Sequence, residues 1–124
     1  MNLIDSSAWI AYFAGEKNAK HFREIIKDTE KLLVPSIVVY EVFKKILRER
    51  NKATAIKYIG HMTEGKVVDC GMTTALTVVG ISVKYDLAMA DSIILATAQE
   101  YSATLWTQDD DFKGIPGVRY FKKN

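Results

Sequence analysis

The hydrophobic and polar positions of the chain follow two alternating periods. Short apolar runs are separated by longer segments in which apolar residues recur every three or four positions. The short runs predict strands over residues 2–4, 31–34, 66–69, 103–107 and 118–121. The longer segments predict helices over residues 8–14, 18–28, 36–48, 53–62, 73–85 and 91–101. This alternation predicts a three-layer α/β/α sandwich with a mostly parallel central sheet of four to five short strands.

Four acidic residues lie at the ends of these predicted elements. Asp5 directly follows the first strand, and Asp109 lies two residues past the strand that ends at Thr107. Glu41 lies in the second turn of the helix after the second strand, and Asp91 lies near the start of the last helix. Crossovers between parallel strands are right-handed, and the helices that follow strands begin at the carboxyl edge of the sheet. The topology therefore predicts that the four carboxylates converge at one edge.

Two of these carboxylates also have purely structural explanations. Asp5 could cap the first helix, a common role for an aspartate at that position. Asp91 could cap its own helix, but it shares a helical face with Ile94, Leu95 and Ala98. A charge on an inward face is costly unless it is paired or bound to a metal, so this placement favours a functional role for Asp91.

Glu41 lies in a narrow polar arc of its helix with Lys44, Lys45 and Arg48. Such an arc is typical of a solvated face with helical ion pairs. The rest of residues 36–48 is apolar, over an arc wider than one core contact requires. That excess indicates either a buried partner surface or a deeply buried helix.

The run of three aspartates at residues 109–111 cannot supply three ligands to one site. Asp109 is the first choice because it is nearest the strand end, and Asp111 is a possible second contributor. Asp110 is expected to face solvent. Ser7 and Thr107 are candidates for hydroxyl hydrogen bonds that orient the carboxylates.

The chemistry of such a cluster points to a hard divalent cation. Carboxylates brought together repel one another, and all-oxygen ligands suit Mg²⁺ or Mn²⁺. Zinc is not indicated, because His21, His61 and Cys70 have no ligand spacing. The sequence contains no Walker A motif, no G-x-G-x-x-G motif and no triad of a nucleophile with a base, which argues against those classes of site.

Composition indicates a single domain over residues 1–124, with 48% hydrophobic residues and a net charge of +2. The single Cys70 excludes an internal disulfide, and we expect it to be a buried thiol in a reducing compartment. No apolar run is long enough to span a membrane, and the N-terminus does not resemble a signal peptide. We therefore expect a cytoplasmic protein without membrane association.

Cations concentrate beyond Glu41, in the segment KKILRERNK at residues 44–52, which carries five positive charges and one negative charge. A basic ridge beside an acidic metal site suits a phosphodiester backbone, and Lys44, Lys45 and Arg48 are candidate contacts for its phosphates. The alternative is an ordinary solvated helix face.

Four segments together resemble a PIN domain, and within that superfamily a VapC-type toxin ribonuclease. They are L-I-D-S-S-A-W-I, P-S-I-V-V-Y-E-V, A-D-S-I-I-L-A-T-A-Q and L-W-T-Q-D-D-D-F, which occur in the order typical of the family. The resemblance covers essentially the whole chain.

The resemblance implies a metal-dependent endoribonuclease that uses Mg²⁺ or Mn²⁺, with the acidic residues of the family at Asp5, Glu41, Asp91 and Asp109 and its hydroxyl at Thr107. It also implies a homodimer and inhibition by a VapB-like antitoxin, as in a type II toxin–antitoxin pair. Two alternatives stay open: a housekeeping PIN nuclease that processes RNA without an antitoxin, and a non-catalytic α/β interaction module.

Overall fold

The structure is a computed structural model that describes residues 1–123. These residues form the strands β1 (Asn2–Ile4), β2 (Leu32–Pro35), β3 (Lys66–Val68), β4 (Thr104–Thr107) and β5 (Val118–Tyr120). The helices are α1 (Ser6–Ala14), α2 (Ala19–Lys27), α3 (Ser36–Glu49), α4 (Lys52–Met62), α5 (Met72–Tyr85) and α6 (Met89–Glu100). Two single 3₁₀ turns occupy Thr29–Lys31 and Asp110–Phe112. Every predicted element is present, with boundaries that shift by at most two residues.

The described strands form one parallel sheet in the order β3-β2-β1-β4-β5. Leu3 of β1 aligns with Leu33 of β2 on one side and with Leu105 of β4 on the other. All three leucines are fully buried, as expected for a parallel sheet that helices cover on both faces. The predicted three-layer fold is therefore confirmed, and the sheet is entirely parallel.

The strand order reverses at β1. From β1 the chain first moves outward through β2 to β3, and it then returns to the other side of β1 with β4 and β5. Open α/β sheets bind ligands outside the carboxyl ends of the strands at such a reversal. The residues that follow β1 and β4 are thus placed side by side at the edge where a site is expected.

Helix α3 is only partly buried, although its apolar arc is wide. Val38, Val42 and Ile46 face the core, and α4 packs along α3. Tyr40 and Leu47 remain exposed. The core therefore covers only part of the arc, and the remainder stays accessible.

The burial that the sequence led us to expect for Cys70 is corrected. Cys70 is exposed rather than buried, because it follows the sheet's edge strand β3 in the connection to α5. Ser36 is the first residue of α3, and the N-cap is Pro35. Within residues 1–123, no helix combines the length and apolar character that crossing a bilayer requires.

Candidate active site

Asp5 is buried at the end of β1, where it also caps α1. Its Oδ1 accepts hydrogen bonds from the backbone N–H of Ala8 (2.9 Å) and the hydroxyl of Ser7 (2.8 Å). Its Oδ2 accepts a hydrogen bond from the Thr107 hydroxyl (2.7 Å). Burial raises the pKa of Asp5 to about 7; the hydrogen bonds offset part of this effect, and the charge of Asp109 adds to it. The structural and functional explanations for Asp5 are therefore compatible.

Thr107 joins the ends of the two central strands. While its hydroxyl donates to Asp5, the same oxygen accepts the backbone N–H of Asp109 at 2.9 Å. The Ser7 hydroxyl lies 3.5 Å from it. The hydroxyls of Thr107 and Ser7 thus have the orienting contacts that their positions suggested.

Asp91, Asp109 and Asp111 form a compact acidic cluster, in which one carboxylate oxygen of each lies within 4.8 Å of the others. Asp91 lies in the first turn of α6, whose N-cap is Ala88, so Asp91 does not cap the helix. Asp109 accepts the backbone N–H of Asp111 at 2.9 Å and thereby caps the short 3₁₀ turn. The structure therefore brings both members of the predicted pair, Asp109 and Asp111, to Asp91.

The charges of these carboxylates act on one another. Burial raises the pKa of Asp91 to about 6, and the charges of Asp109, Glu41 and Asp111 contribute in that order. The remaining aspartate of the run, Asp110, is exposed and accepts a hydrogen bond from the Tyr120 hydroxyl. Asp110 thus faces away from the cluster, as expected.

Glu41 lies beside the acidic cluster rather than within it. Its Oε1 accepts a hydrogen bond from the Ser6 hydroxyl at 2.9 Å. Both residues line a cleft of about 330 Å³ together with Ser7, Ile10, Glu16, Lys45, Gln108 and Lys123. Sequence reasoning missed Ser6 and Gln108, because no local pattern distinguishes either residue from an ordinary residue at an element end.

The predicted basic ridge borders this cleft. Lys45 lines it, and its Nζ lies 3.5 Å from Glu49. Lys44 and Arg48 lie along a shallow groove that also contains Glu41, and the Lys44 ammonium is 5.7 Å from the centre of the Tyr40 ring. The cations are therefore next to Glu41, as the sequence spacing suggested.

The donor set fits a hard divalent cation. Asp91, Asp109 and Asp111 offer only carboxylate oxygens, the ligands that Mg²⁺ and Mn²⁺ prefer. Within residues 1–123, no lysine or arginine forms an ion pair with these aspartates. A cation is the group that would compensate their repulsion.

Comparisons with solved structures agree with the fold. The chain is similar to a chain of a toxin–antitoxin complex from Klebsiella pneumoniae, with 27% identity and a TM-score of 0.80 over 96% of each chain. It is also similar in fold to VapBC2 from Rickettsia felis, bound to promoter DNA, with 14% identity and a TM-score of 0.75 over 98% of each chain. The sarcin-ricin-loop-cleaving toxin VapC20 of Mycobacterium tuberculosis shares 12% identity and a TM-score of 0.70, over 98% of this chain and 90% of that one.

A comparison with curated proteins found no match. The comparison with models of protein families did find a match. The PIN domain model matches residues 3–118, which include all the acidic residues described above. The chain therefore belongs to the PIN domain family.

Proposed function

We propose that the chain is a Mg²⁺- or Mn²⁺-dependent endoribonuclease, built as a single domain of residues 1–124, and that it is the toxin of a type II toxin–antitoxin pair. The observation that carries the proposal is the cluster of Asp91, Asp109 and Asp111, whose oxygens lie within 4.8 Å of one another at the sheet reversal. Membership of the PIN domain family supports a nuclease. The similarity to the Klebsiella pneumoniae complex supports a toxin.

In this proposal Asp5, Asp91 and Asp109 hold the metal, with Asp111 as a further possible ligand, and Glu41 completes the catalytic set. A bound divalent ion would activate water and stabilise the leaving oxygen of the phosphodiester. The hydroxyl of Thr107 fixes the orientation of Asp5.

The Ser6 hydroxyl holds Oε1 of Glu41, so that this carboxylate has a fixed position in the cleft. Substrate RNA is proposed to lie along the basic ridge of Lys44, Lys45 and Arg48, next to Glu41. These side chains would bind phosphates, because their positive charges displace the counterions of the backbone.

A VapB-like antitoxin is the proposed partner, and a groove between α3 and α4 supports a docking surface. Its lining is largely apolar and consists of Ser36, Val39, Tyr40, Phe43, Ile56 and Ile59. Tyr40 and Glu41 line the neighbouring groove of the basic ridge. A peptide bound between α3 and α4 would therefore reach the groove that contains Glu41 and the basic ridge, and it would compete there with the substrate.

A homodimer is also proposed. Helix α5 offers a better surface for the dimer than helix α3 does. Met72, Leu76, Val79 and Val83 recur at intervals of four, three and four residues along α5, and they are 61–79% exposed. An exposed apolar stripe of this kind marks an interaction site, and heptad-like spacing suits the same helix of a second copy.

The decisive experiment is cleavage of a defined panel of RNAs with Mg²⁺, with Mn²⁺ and with EDTA. We expect cleavage with either metal and none with EDTA. The Asp91→Asn protein is the matched control, because it keeps the shape of the side chain and removes its charge. Unchanged cleavage by Asp91→Asn would contradict the assignment of the site.

The alternatives predict other results. A housekeeping nuclease would cleave RNA without arresting growth when it is expressed, and no antitoxin would inhibit it. A non-catalytic module would show no rise in melting temperature at millimolar Mg²⁺ or Mn²⁺, whereas a metal bound only by the folded state must stabilise that state.

A further inference from the structure

The C-terminal segment is fixed against the active-site edge by a buried amide. Nδ2 of Asn18 donates to the carbonyl oxygen of Lys122 at 3.0 Å, to that of Phe121 at 3.4 Å and to Oε1 of Gln108 at 3.1 Å. Asn18 and Gln108 are both buried. The backbone N–H of Phe121 donates to the carbonyl oxygen of Thr107 at 2.9 Å. Residues 121 and 122 therefore have a fixed path beside Thr107.

The side chains next to this segment form one continuous stack. The Arg119 guanidinium lies 5.3 Å from the centre of the Trp106 ring. Trp106 is nearly parallel to Phe121, with ring centres 6.1 Å apart, and Phe121 stacks on His21 at 4.3 Å. Arg119 and His21, at the two ends, are exposed. A stack that ends in open, flat side chains is the kind of surface on which unpaired bases stack.

The same surface carries cations that have no acidic partner. Arg119, Lys122 and Lys123 are exposed, and within residues 1–123 none of them forms an ion pair. Lys123 lines the cleft that contains Glu41. Strand β5 ends at Tyr120, opposite Thr107, so the segment after it leaves the sheet at the active-site edge. Positive charge thus continues from the cleft to the stack.

We propose that His21, Trp106, Arg119, Phe121, Lys122 and Lys123 form a second RNA-binding surface, the C-terminal strip, for the single-stranded nucleotides that flank the scissile phosphate. The proposal rests on the proposed ribonuclease function. In the strip, Lys122 and Lys123 bind phosphates and the exposed ring of His21 stacks on a base. Asn18 is a positioning residue, because it holds the lysine-bearing segment in place.

Binding can be measured separately from cleavage. Every variant is prepared in the Asp91→Asn background in EDTA, and its affinity for a short fluorescein-labelled single-stranded RNA is measured by anisotropy. His21→Ala is expected to weaken binding about fivefold or more, since base–aromatic stacking is lost. His21→Phe keeps a flat ring and should retain the affinity. A duplex of the same sequence should show no difference, because its bases are already paired.

The lysines have a different expected signature. The pair Lys122→Ala and Lys123→Ala should reduce the slope of log affinity against log salt by about 1.4, which is about 0.7 for each lost phosphate contact with a single strand. Lys84→Ala, an exposed cation on α5, is the matched control and should leave affinity and slope unchanged. In the active protein, His21→Ala should raise KM and leave kcat unchanged.

Equal affinity of the His21→Ala and His21→Phe proteins would overturn the proposal, as would an equal loss of binding to the duplex. If the strip variants bind RNA normally but escape inhibition by an antitoxin, the surface binds protein and the proposal fails. The wild-type protein could fail to cleave RNA while the strip variants lose RNA binding. That outcome would refute the ribonuclease function and would still support the strip as an RNA-binding surface.

Discussion

The hydroxyl of Thr107 donates to Oδ2 of Asp5 at 2.7 Å across the gap between the ends of β4 and β1. Its oxygen also accepts the backbone N–H of Asp109 at 2.9 Å, so one side chain sets the positions of two acidic residues. Groups that orient ligating carboxylates in this way affect a metal site almost as strongly as the ligands themselves.

Replacing that hydroxyl tests the relationship. Thr107→Val keeps the volume and removes both hydrogen bonds, so we expect metal-dependent cleavage to fall about 10- to 100-fold. Thr107→Ser retains the hydroxyl and should stay within a few-fold of wild type. Cleavage rates at saturating metal give the comparison, and equal activity of the two variants would show that the hydrogen bond has no role.

The aspartate run offers an internally controlled series. Asp109→Asn should abolish cleavage and the metal-induced rise in melting temperature, because Asp109 lies in the cluster and also acts on the buried Asp5. Asp111→Asn should reduce both effects to a smaller extent, since Asp111 is exposed. Asp110→Asn lies outside the cluster and serves as the control.

Two outcomes of this series of variants would contradict the assignment of the acidic residues. If Asp110→Asn is as damaging as Asp109→Asn, the cluster has been assigned to the wrong residues. If Asp111→Asn is the more severe of the cluster variants, Asp111 rather than Asp109 is the fourth carboxylate of the site.

The raised pKa values of Asp5 and Asp91 predict how stability depends on pH without metal. The unfolded carboxyls release their protons near 3.8, whereas in the folded protein the pKa of Asp5 is about 7 and that of Asp91 is about 6. Between these values the folded state binds more protons, so the free energy of unfolding falls as pH rises. We expect a loss of about 2 kcal/mol or more between about pH 4 and pH 7, with little further change above.

Urea unfolding in EDTA measures this dependence. Asp91→Asn should remove the contribution of Asp91, which ends near pH 6, and it should leave the contribution of Asp5, which runs over the same range and continues to about pH 7. Added Mn²⁺ should restore stability most strongly at the higher pH, because the metal binds the ionised carboxylates. Stability that rises with pH in EDTA would contradict the assigned shifts.

The sequence was sufficient for the fold, and it located Asp91 and Asp109, two of the three residues of the acidic cluster, because both results follow from local pattern and topology. Alternating periods located the strands, and right-handed crossovers then placed Asp5, Asp91 and Asp109 at one edge. Asn18 and Gln108 escaped prediction because their contact joins residues 90 positions apart. No periodicity in either segment indicates such a pairing.

The interpretation of helical faces was less successful. The arc of α3 indicated either a partner surface or a deeply buried helix, and in the structure this helix is only partly buried, with Tyr40 and Leu47 exposed. The stripe on α5 was visible in the sequence as Met72, Leu76, Val79 and Val83, but apolar residues on a helix are as typical of burial as of an interface. In the structure the opposite face of α5, with Val78 and Ile81, is the one that packs on the core, so the stripe is left exposed.

A charge placed on that stripe tests the dimer. Val83→Lys and Leu76→Lys should each convert the protein to a monomer, because a cation facing its own symmetry copy adds repulsion to the loss of apolar contact. Both side chains are exposed, at 79% and 69%, so the fold should tolerate the change. Thr77→Lys, an exposed position on the flank of the same helix, is the control and should remain dimeric. Sedimentation equilibrium at tens of micromolar distinguishes the states, and a monomeric wild type or a dimeric Val83→Lys protein would refute the α5 interface.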